Sequence, residues 1–204
     1  APETGGNLCN GLAYPQRPAQ RGTMSKFALM AGGTGGHLFP ALALAQELNR
    51  RGHEIHLVTD KRVTQYGGAF PAREIHVVPA ATPSIRNPVK FLKAGFTIMG
   101  GISKAWGILR RIDPDAVVGF GGYPCFPPFL AASLLGVPGV LHEQNAVLGR
   151  ANRALARFAD TLAMSFAETE HAQRYRLKKV VTGNPVRDRV IAAGNLPAYN
   201  LPAV

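Results

Sequence analysis

Short apolar runs alternate with longer runs of helical spacing along the chain from Lys26 onward. This alternation predicts an α/β fold with a doubly wound parallel sheet, because each helix carries the chain back before the next strand begins. Such sheets bind ligands outside the carboxyl ends of their strands. Each of the following motifs comes directly after a predicted strand and is expected at that edge: GGTGGH (32–37), GGYP (121–124), HEQN (142–145) and GNPVR (183–187).

The boundaries of the elements follow from the change between apolar runs and helical spacing. Gly52 is expected to end the first helix as its C-cap, and Pro128 suits the first turn of the third helix. The predicted strands, two of which include a following loop, are 27–31, 54–60, 73–80, 115–122, 137–145, 161–166 and 178–187. The predicted helices are 38–51, 88–112, 127–136 and 149–158.

The two ends of the chain differ in composition from the alternating region. Residues 1–23 are rich in glycine, proline and polar residues, and they lack the apolar stretch of a secretory signal. They are expected to be a disordered extension, a cloning scar or upstream translated sequence, with Met24 as the natural start. Residues 24–187 form the predicted domain, and residues 188–204 are expected to begin a linker.

The charge balance favours an anionic partner. Lysine and arginine number 23 against 12 aspartate and glutamate, which gives a net charge of +11. Nucleic acid, phospholipid and a phosphorylated substrate all suit this charge. No nucleic-acid partner is predicted, because no RNP, KH or zinc-finger pattern is present. The two cysteines, Cys9 and Cys125, are too few for a disulfide framework and indicate a reducing compartment.

Residues 116–141 contain no charged side chain, and this run is long enough to cross a bilayer as a helix. Four prolines interrupt the run. Each interior proline removes a helical hydrogen bond that lipid cannot replace. The run is therefore predicted to form a strand, a loop, a helix and a strand inside a folded core.

The motif GGTGGH lies between the first predicted strand and the first predicted helix. It is not a dinucleotide fingerprint, which would need glycine in place of Leu38, and it lacks the Lys-Ser/Thr pair of a P-loop. Glycine lets the backbone approach a phosphate, and the helix offers free N–H groups and the positive end of its dipole. The motif therefore predicts diphosphate binding. His37 is a candidate helix cap, general base or hydrogen-bond donor.

The other three motifs are less specific when each is taken alone. GGYP predicts a turn, in which Tyr123 either packs or hydrogen-bonds a substrate. HEQN places four polar side chains after an apolar strand, where they need partners. Glu143 in this motif can bind a sugar hydroxyl or act in acid–base chemistry. No second histidine follows at the HExxH spacing, so no metal site is predicted. GNPVR predicts a turn and the start of a helix.

The segment 75–112 contains no acidic residue and carries an apolar stripe. Leu92, Phe96, Met99 and Ile102 follow the spacing of one helical face. The stripe fits two interpretations, a core-facing side with solvated lysines or an amphipathic helix on an anionic bilayer. The basic residues of this segment are Arg86, Lys90, Lys93, Lys104, Arg110 and Arg111.

In combination and in this order, the motifs resemble the N-terminal half of the MurG family of GT-B glycosyltransferases. The segments that carry the resemblance are AGGTGGHLFPALALA, VVGFGGYP, VLHEQNAVLGRANR and TGNPVR. Members of this family transfer N-acetylglucosamine from UDP-N-acetylglucosamine to lipid I, an undecaprenyl diphosphate-linked acceptor, in peptidoglycan synthesis. The resemblance implies a Rossmann-like acceptor domain, inversion at the anomeric carbon, no cofactor, and a peripheral location on the cytoplasmic face of the bacterial inner membrane.

The resemblance also implies roles for individual residues. His37 matches the proposed general base, and Arg187 matches a donor contact. The loop Thr34, Gly35 and Gly36 reaches toward the nucleotide sugar and also suits the diphosphate of the acceptor. The residues that match the acceptor side of the cleft are Tyr123, Glu143 and Asn145, of which Asn145 also matches a donor contact. The residues that match the membrane patch of the family are Leu92, Phe96, Met99 and Ile102, which favours the membrane interpretation of the stripe.

One departure from the family concerns the second half of the fold. The family has a second Rossmann-like domain after the GNPVR motif, and this chain ends at Val204. The chain is therefore expected to carry the acceptor half of a site and to show no turnover by itself. The alternatives are a non-catalytic module that binds a lipid diphosphate or a membrane, and a GT-B enzyme with another acceptor. The pairing of GGTGGH with HEQN argues against the second alternative.

Overall fold

A computed structural model describes residues 24–66, 70–82 and 87–194 of the chain. Seven parallel strands form one sheet in the order β3-β2-β1-β4-β5-β6-β7. The strands are β1 (Lys26–Met30), β2 (Glu54–Thr59), β3 (Glu74–Val77), β4 (Ala116–Gly119), β5 (Gly139–Glu143), β6 (Thr161–Met164) and β7 (Lys178–Val181). The helices are α1 (Gly35–Arg50), α2 (Pro88–Ile112), α3 (Phe126–Leu134), α4 (Arg150–Leu155) and α5 (Asp188–Gly194). The predicted α/β fold with a parallel sheet is confirmed.

The direction of chain winding reverses between β1 and β4. The chain runs outward from β1 to β3, returns through α2, and then runs the other way from β4 to β7. A crevice at the carboxyl ends of the strands is the usual ligand site at such a reversal. The two glycine motifs follow β1 and β4, so they flank this point.

The predicted strands are all present, although most are shorter than predicted because the polar residues at their ends leave the sheet. Helix α1 begins at Gly35 instead of at Leu38. The carbonyl oxygen of Thr34 accepts hydrogen bonds from the backbone N–H groups of His37 and Leu38 at 3.0 and 2.9 Å, so the glycine motif itself forms the first turn. Gly52 follows α1 with a φ of +80°, as predicted for a helix end.

The two faces of the sheet are covered by different helices. Ala28 and Met30 of β1 belong to a core shared with Leu109 of α2 and Phe129 of α3. Leu29, between them in sequence, points to the opposite face and packs in a second core. That second core includes Leu38, Ala41 and Ala45 of α1. Near-continuous apolar runs in the strands are what burial on both faces requires.

The uncharged run 116–141 folds as predicted, with β4, α3 and β5 placed in order inside the sheet and its cover. Phe120 and Phe129, both within this run, are fully buried. Among the helices that the structure describes, none is long and apolar enough to cross a membrane.

Helix α2 passes from solvent onto the sheet along its length. At its start, the side chain of Asn87 accepts a hydrogen bond from the N–H of Lys90 at 3.0 Å and caps the helix. At Gly101 the helix touches the loop after β3, since an added Cβ there would lie 2.2 Å from the carbonyl oxygen of Pro79. Beyond this contact, Ala105 and Leu109 are buried in the core. The first half of α2 therefore stays exposed while its second half anchors it.

Residues 188–194, which the sequence assigned to the start of a linker, form the short helix α5. Asp188 ties this helix to α1, because its backbone N–H donates to Gln46 at 3.1 Å and its carboxylate lies 3.0 Å from Arg50. The helix starts directly after GNPVR, where that motif predicted a helix start. Residues 1–23 and 195–204 lie outside the described part of the chain.

Candidate active site

His37 lies in the first turn of α1 and reaches across to the end of β4. Its Nδ1 atom is 2.8 Å from the carbonyl oxygen of Phe120. A carbonyl oxygen can only accept, so Nδ1 carries the proton and the neutral ring leaves Nε2 unprotonated. The side-chain oxygen of Gln144 lies 3.4 Å from the same Nδ1 atom. His37 is thus held in the tautomer that a general base at Nε2 requires.

The glycines before His37 serve different purposes. Gly33 has no room for a side chain, because an added Cβ would lie 2.6 Å from the carboxylate of Asp60. At Gly36 no atom lies within 4 Å of an added Cβ. Packing therefore demands glycine at position 33 and leaves open space at position 36. Thr34 is the N-cap residue, and its side chain makes no capping hydrogen bond to the helix.

Arg187 follows β7, the strand at one edge of the sheet, and its side chain lies on α1. Its guanidinium lies 3.7 Å above the ring centroid of Phe39 in α1. The ring of Phe39 in turn borders Gly35, whose added Cβ would lie 2.9 Å from it. A cation–π contact of this kind orients a guanidinium while leaving its N–H groups available to an anion. The structure therefore brings Arg187 close to the start of α1.

The turn after β4 packs against His37. Gly121 and Gly122 have φ values of +89° and +79°, which favour glycine. An added Cβ would lie 3.3 Å from the His37 ring at Gly121 and 3.2 Å at Gly122. Tyr123 follows and lines an open cleft of about 560 Å³ between the carboxyl ends of β2 and β3 and helix α2. Thr97 and Lys104 line the α2 side of this cleft.

Glu143 is 1% exposed, and both of its carboxylate oxygens are occupied. One oxygen accepts from the backbone and side-chain N–H groups of Asn145 at 3.1 and 3.0 Å. The other accepts from Gly149 N at 2.8 Å and from Asn152 Nδ2 at 2.9 Å. A buried carboxylate with four donors orders a loop. This geometry favours a positioning role for Glu143 over the direct acid–base role predicted from the sequence.

His142 joins the motifs HEQN and GNPVR. Its Nε2 donates to the carbonyl oxygen of Gly183 at 3.1 Å, and its Nδ1 accepts from Gln144 at 3.0 Å. Burial lowers the pKa of His142 below its ordinary value. His142 is therefore neutral near pH 7, and its role here is to connect two loops.

Asn152 is a site residue that the sequence analysis missed. It lies in α4, is 3% exposed, and donates from Nδ2 both to Glu143 and to the carbonyl oxygen of His142. One weak signal is present in the sequence, a single asparagine within a short basic helix next to HEQN. Its importance depends on contacts nine and ten residues away, which no local periodicity encodes.

In the described ranges, one group of potential metal ligands lies close together, with ligand atoms within 4.8 Å of one another. The group consists of His56, Glu74 and His76. However, His56 Nδ1 and His76 Nε2 are only 3.1 Å apart. The ring centroids are 5.4 Å apart, so the rings lie end to end with these two nitrogens facing each other. Because the two nitrogens point at each other, their lone pairs do not converge on a third point, as those of two ligands of one tetrahedral metal ion must. The contact is an N–H···N hydrogen bond, and His56 Nε2 faces Glu54 at 2.9 Å.

The predicted apolar face of α2 is only partly correct. Leu92, Phe96 and Met99 are 62, 71 and 65% exposed, which excludes the core-facing interpretation for them. Ile102 instead packs against the core, because at Gly101 the helix comes into contact with the loop after β3 and with Pro127 of α3. Val89 and Phe91 are also exposed. We define the α2 apolar surface as Val89, Phe91, Leu92, Phe96 and Met99.

The basic residues around this surface differ in their surroundings. Lys90 and Lys93 are exposed and lie among the apolar side chains on the same turns of α2. Arg111 pairs with Glu74 at 3.2 Å, at the far end of the helix. Arg86 falls outside the described residues. Among the described residues, Lys90 and Lys93 are therefore cations that lie on the same turns as the α2 apolar surface.

Comparison with known sequences identifies the family of this site. Residues 27–164 match the glycosyltransferase family 28 N-terminal domain. The chain belongs to glycosyltransferase family 28. Two relatives, from Rhizobium johnstonii and Agrobacterium fabrum, are 53% and 52% identical over 169 residues. Both are named UDP-N-acetylglucosamine–N-acetylmuramyl-(pentapeptide) pyrophosphoryl-undecaprenol N-acetylglucosamine transferase.

These alignments cover 83% of this chain but only 45% and 44% of the two relatives. The chain therefore spans somewhat less than half the length of the curated relatives it matches. Among solved structures, MurG of Acinetobacter baumannii is 33% identical with a TM-score of 0.64, covering 85% of this chain and 50% of that one. The resemblance inferred from the motifs is confirmed at the level of the family.

A more distant structural similarity concerns the fold alone. The UDP-GlcNAc 2-epimerase of Neisseria meningitidis is 15% identical, with a TM-score of 0.56 over 78% of this chain and 46% of that one. At this identity the match shows a shared architecture and carries no argument about chemistry.

Proposed function

We propose that this chain forms the acceptor half of an inverting N-acetylglucosaminyltransferase that uses UDP-N-acetylglucosamine and lipid I. The observation that carries the proposal is the geometry of His37, whose Nδ1–H is bound by Phe120 while loops from several motifs surround the ring. The names of the relatives at 53 and 52% identity supply the substrates. Three features of the described residues support the proposal. They are the cleft beside Tyr123 for the acceptor, the start of α1 for the diphosphate, and the α2 apolar surface for the membrane.

In the proposed reaction, a hydroxyl oxygen of the acceptor muramyl sugar attacks the anomeric carbon of N-acetylglucosamine. The bond from that carbon to the UDP oxygen breaks, and the configuration inverts. His37 takes the hydroxyl proton at Nε2, becoming an imidazolium that Phe120 stabilises through Nδ1–H. UDP leaves with the electron pair of the broken bond. No step requires a metal, and no cofactor is proposed.

The start of α1 is proposed to bind diphosphate. The space at Gly36 and the start of α1, which the Thr34 side chain does not cap, suit the close approach of phosphate oxygens. The guanidinium of Arg187, held over Phe39, adds a full positive charge at the same place. Fixed N–H groups and a charged side chain stabilise the negative charge that develops on a leaving diphosphate. Thr34, Gly35, Gly36 and Arg187 are therefore proposed as substrate-binding residues.

The acceptor is proposed to enter through the cleft beside Tyr123. This cleft continues from Thr97 and Lys104 of α2 to Tyr123, which directly follows the turn packed against His37. Asn145 is exposed, and Glu143 fixes it through two hydrogen bonds. Asn145 is thus proposed to contact the substrates, while Glu143 positions it.

The α2 apolar surface is proposed to rest on an anionic membrane. Phe96 of this surface is next in sequence to Thr97, which lines the cleft. A lipid-linked acceptor held in the bilayer could therefore reach the cleft without leaving its membrane. Lys90 and Lys93 would add attraction to acidic headgroups. The proposed location is the cytoplasmic face of the bacterial inner membrane, as a peripheral protein.

The proposal is tested with the purified full-length gene product, radiolabelled UDP-N-acetylglucosamine and a lipid I analogue. Transfer of the label to the lipid, with release of UDP, is the expected result. UDP-glucose and an acceptor without the diphosphate serve as controls and should react at least about tenfold more slowly. Binding of the lipid diphosphate without any transfer would refute the enzymatic proposal in favour of a binding module.

A further inference from the structure

Asn152 lies between two of the motif loops, HEQN and the turn of GGYP. Its Nδ2 donates to Glu143 Oε2 at 2.9 Å and to the carbonyl oxygen of His142 at 3.2 Å. Its amide also packs against the turn after β4, since an added Cβ on Gly121 would lie 3.3 Å from both Nδ2 and Oδ1. The same added Cβ would lie 3.3 Å from Cε1 of His37. Asn152 and His37 therefore both pack against Gly121.

The orientation of this amide is fixed by charge. If the amide were flipped, its oxygen would face the carboxylate of Glu143, so Nδ2 must point to Glu143. This leaves Oδ1 buried without a hydrogen-bond partner among the described residues. A buried acceptor without a donor is destabilising. The site thus retains an unsatisfied hydrogen-bond acceptor beside the turn that packs against His37.

We propose that Asn152 is a positioning residue that couples Glu143, and the loop it orders, to His37 through Gly121. This inference rests on the proposed role of His37 as the general base. At one end, Glu143 holds Asn145 in position through two hydrogen bonds. At the other end, the turn at Gly121 and Gly122 packs against the His37 ring. Asn152 therefore keeps the substrate-contacting loop and the base in a fixed relation.

The variant Asn152→Ala removes the link and takes away one of the two side chains that pack against Gly121. In the full-length protein we expect kcat to fall about 10- to 100-fold, because small displacements of a catalytic group have effects of this size. The KM for UDP-N-acetylglucosamine should stay within about threefold, because the proposed donor contacts at α1 are untouched. Asn49→Ala, on the exposed end of α1, is the matched control and should leave kcat unchanged.

The variant Asn152→Asp tests the hydrogen bond with almost no change in volume. An ionised aspartate would face Glu143 Oε2 and repel it, whereas a shared proton would restore the link. The kcat of Asn152→Asp relative to the parent protein should therefore rise at least about tenfold between pH 8.5 and pH 6.0. A ratio that stays constant over this range would refute the role of the Nδ2 donor. This comparison also covers the case in which Asn152→Ala fails to fold.

A measurement that needs no turnover separates this inference from the proposed function. In protein labelled with ¹⁵N-histidine, long-range ¹H–¹⁵N spectra report which ring nitrogen of His37 is protonated. The parent protein should show the Nδ1–H form, and Asn152→Asp at pH 8.5 should move toward an average of both tautomers, with His53 unchanged. An unmoved His37 in the folded variant would overturn the inference even if transfer were absent. Transfer by the parent protein is scored separately, and its absence would refute only the proposed function.

Discussion

His37 and Phe120 are joined by a 2.8 Å contact between Nδ1 and a carbonyl oxygen, although they are 83 residues apart in sequence. Phe120 directly follows β4, and His37 lies in the first turn of the helix after β1. Since β1 and β4 are neighbours at the reversal of winding, the sheet itself brings the two together. The contact fixes the tautomer of the ring, with the proton on Nδ1 and a lone pair on Nε2 that can accept a proton.

Replacing His37 by alanine should lower kcat of the full-length enzyme by roughly 10²–10⁴-fold, with little change in KM for the donor. His37→Asn should lose as much, because its amide can still donate toward Phe120 but offers no basic nitrogen at the Nε2 position. Steady-state kinetics of both variants, with His53→Ala as the control, provide the measurement. A loss confined to KM would show that His37 only binds a ligand.

Gly36→Ala should separate ligand binding from folding. The added methyl group meets no protein atom within 4 Å, so the variant should fold at least as well as the parent, with a gain of up to about 1 kcal/mol from helix propensity. It should nevertheless raise the KM for the diphosphate-bearing substrates at least about tenfold, because it occupies the proposed phosphate approach. Gly107→Ala in α2 is the matched control, since its added Cβ also meets nothing within 4 Å. Equal kinetics for the two variants would argue against a phosphate at Gly36.

The stability of the protein should fall as the pH drops below about 6.5. Burial lowers the pKa of both His76 and His142 from the ordinary value of 6.5. Well above pH 6.5 these histidines are neutral in both states, and as the pH falls through 6.5 the unfolded chain takes up protons that the folded chain resists. Each histidine therefore contributes a slope of at most about 1.4 kcal/mol per pH unit. Urea unfolding at pH 7.5, 6.5 and 5.5 measures the loss.

The loss of stability below pH 6.5 can be assigned to His142 by a variant, and it can be distinguished from the contribution of Glu54 by its pH range. His142→Gln removes one titrating ring and should make the slope between pH 6.5 and 5.5 shallower. Glu54 has its pKa lowered by hydrogen bonds from His56 and Arg73, so its contribution is lost only below its ordinary value of 4.5. A slope that is unchanged in His142→Gln would show that His142 does not titrate on unfolding.

Much of the fold could be predicted, because its determinants are local. Each strand is an apolar run, and the glycines of GGTGGH and the turn at Gly121 mark where the chain leaves the sheet. The parallel sheet then places these ends at one edge, which is why His37, Tyr123 and Asn145 were expected together. The start of α1 was missed by three residues because a glycine-rich motif has low helix propensity and yet forms the first turn.

The features that the sequence could not settle depend on contacts between distant elements. Periodicity placed Ile102 on the same stripe as Met99, but only the close approach at Gly101 shows where α2 leaves solvent. The polarity of HEQN indicated a site, but whether the oxygens of Glu143 are free depends on Gly149 and Asn152 in the next loop and helix.

The α2 apolar surface should bind anionic vesicles. Its exposed side chains would bury apolar area at about 25 cal/mol per Å², and Lys90 and Lys93 would add roughly 1 kcal/mol each near acidic headgroups. Phe96→Asp combined with Met99→Asp should therefore abolish cosedimentation with phosphatidylglycerol vesicles. Because these residues are 71 and 65% exposed, the double variant should keep its cooperative melting transition.

The control for the vesicle experiment is Leu134→Asp, because Leu134 is similarly exposed at the end of α3, and this variant should still bind. Added salt should weaken binding by the parent protein without eliminating it, since only the Coulomb part is screened. A double variant that melts normally and still sediments with the vesicles would show that the membrane is bound elsewhere.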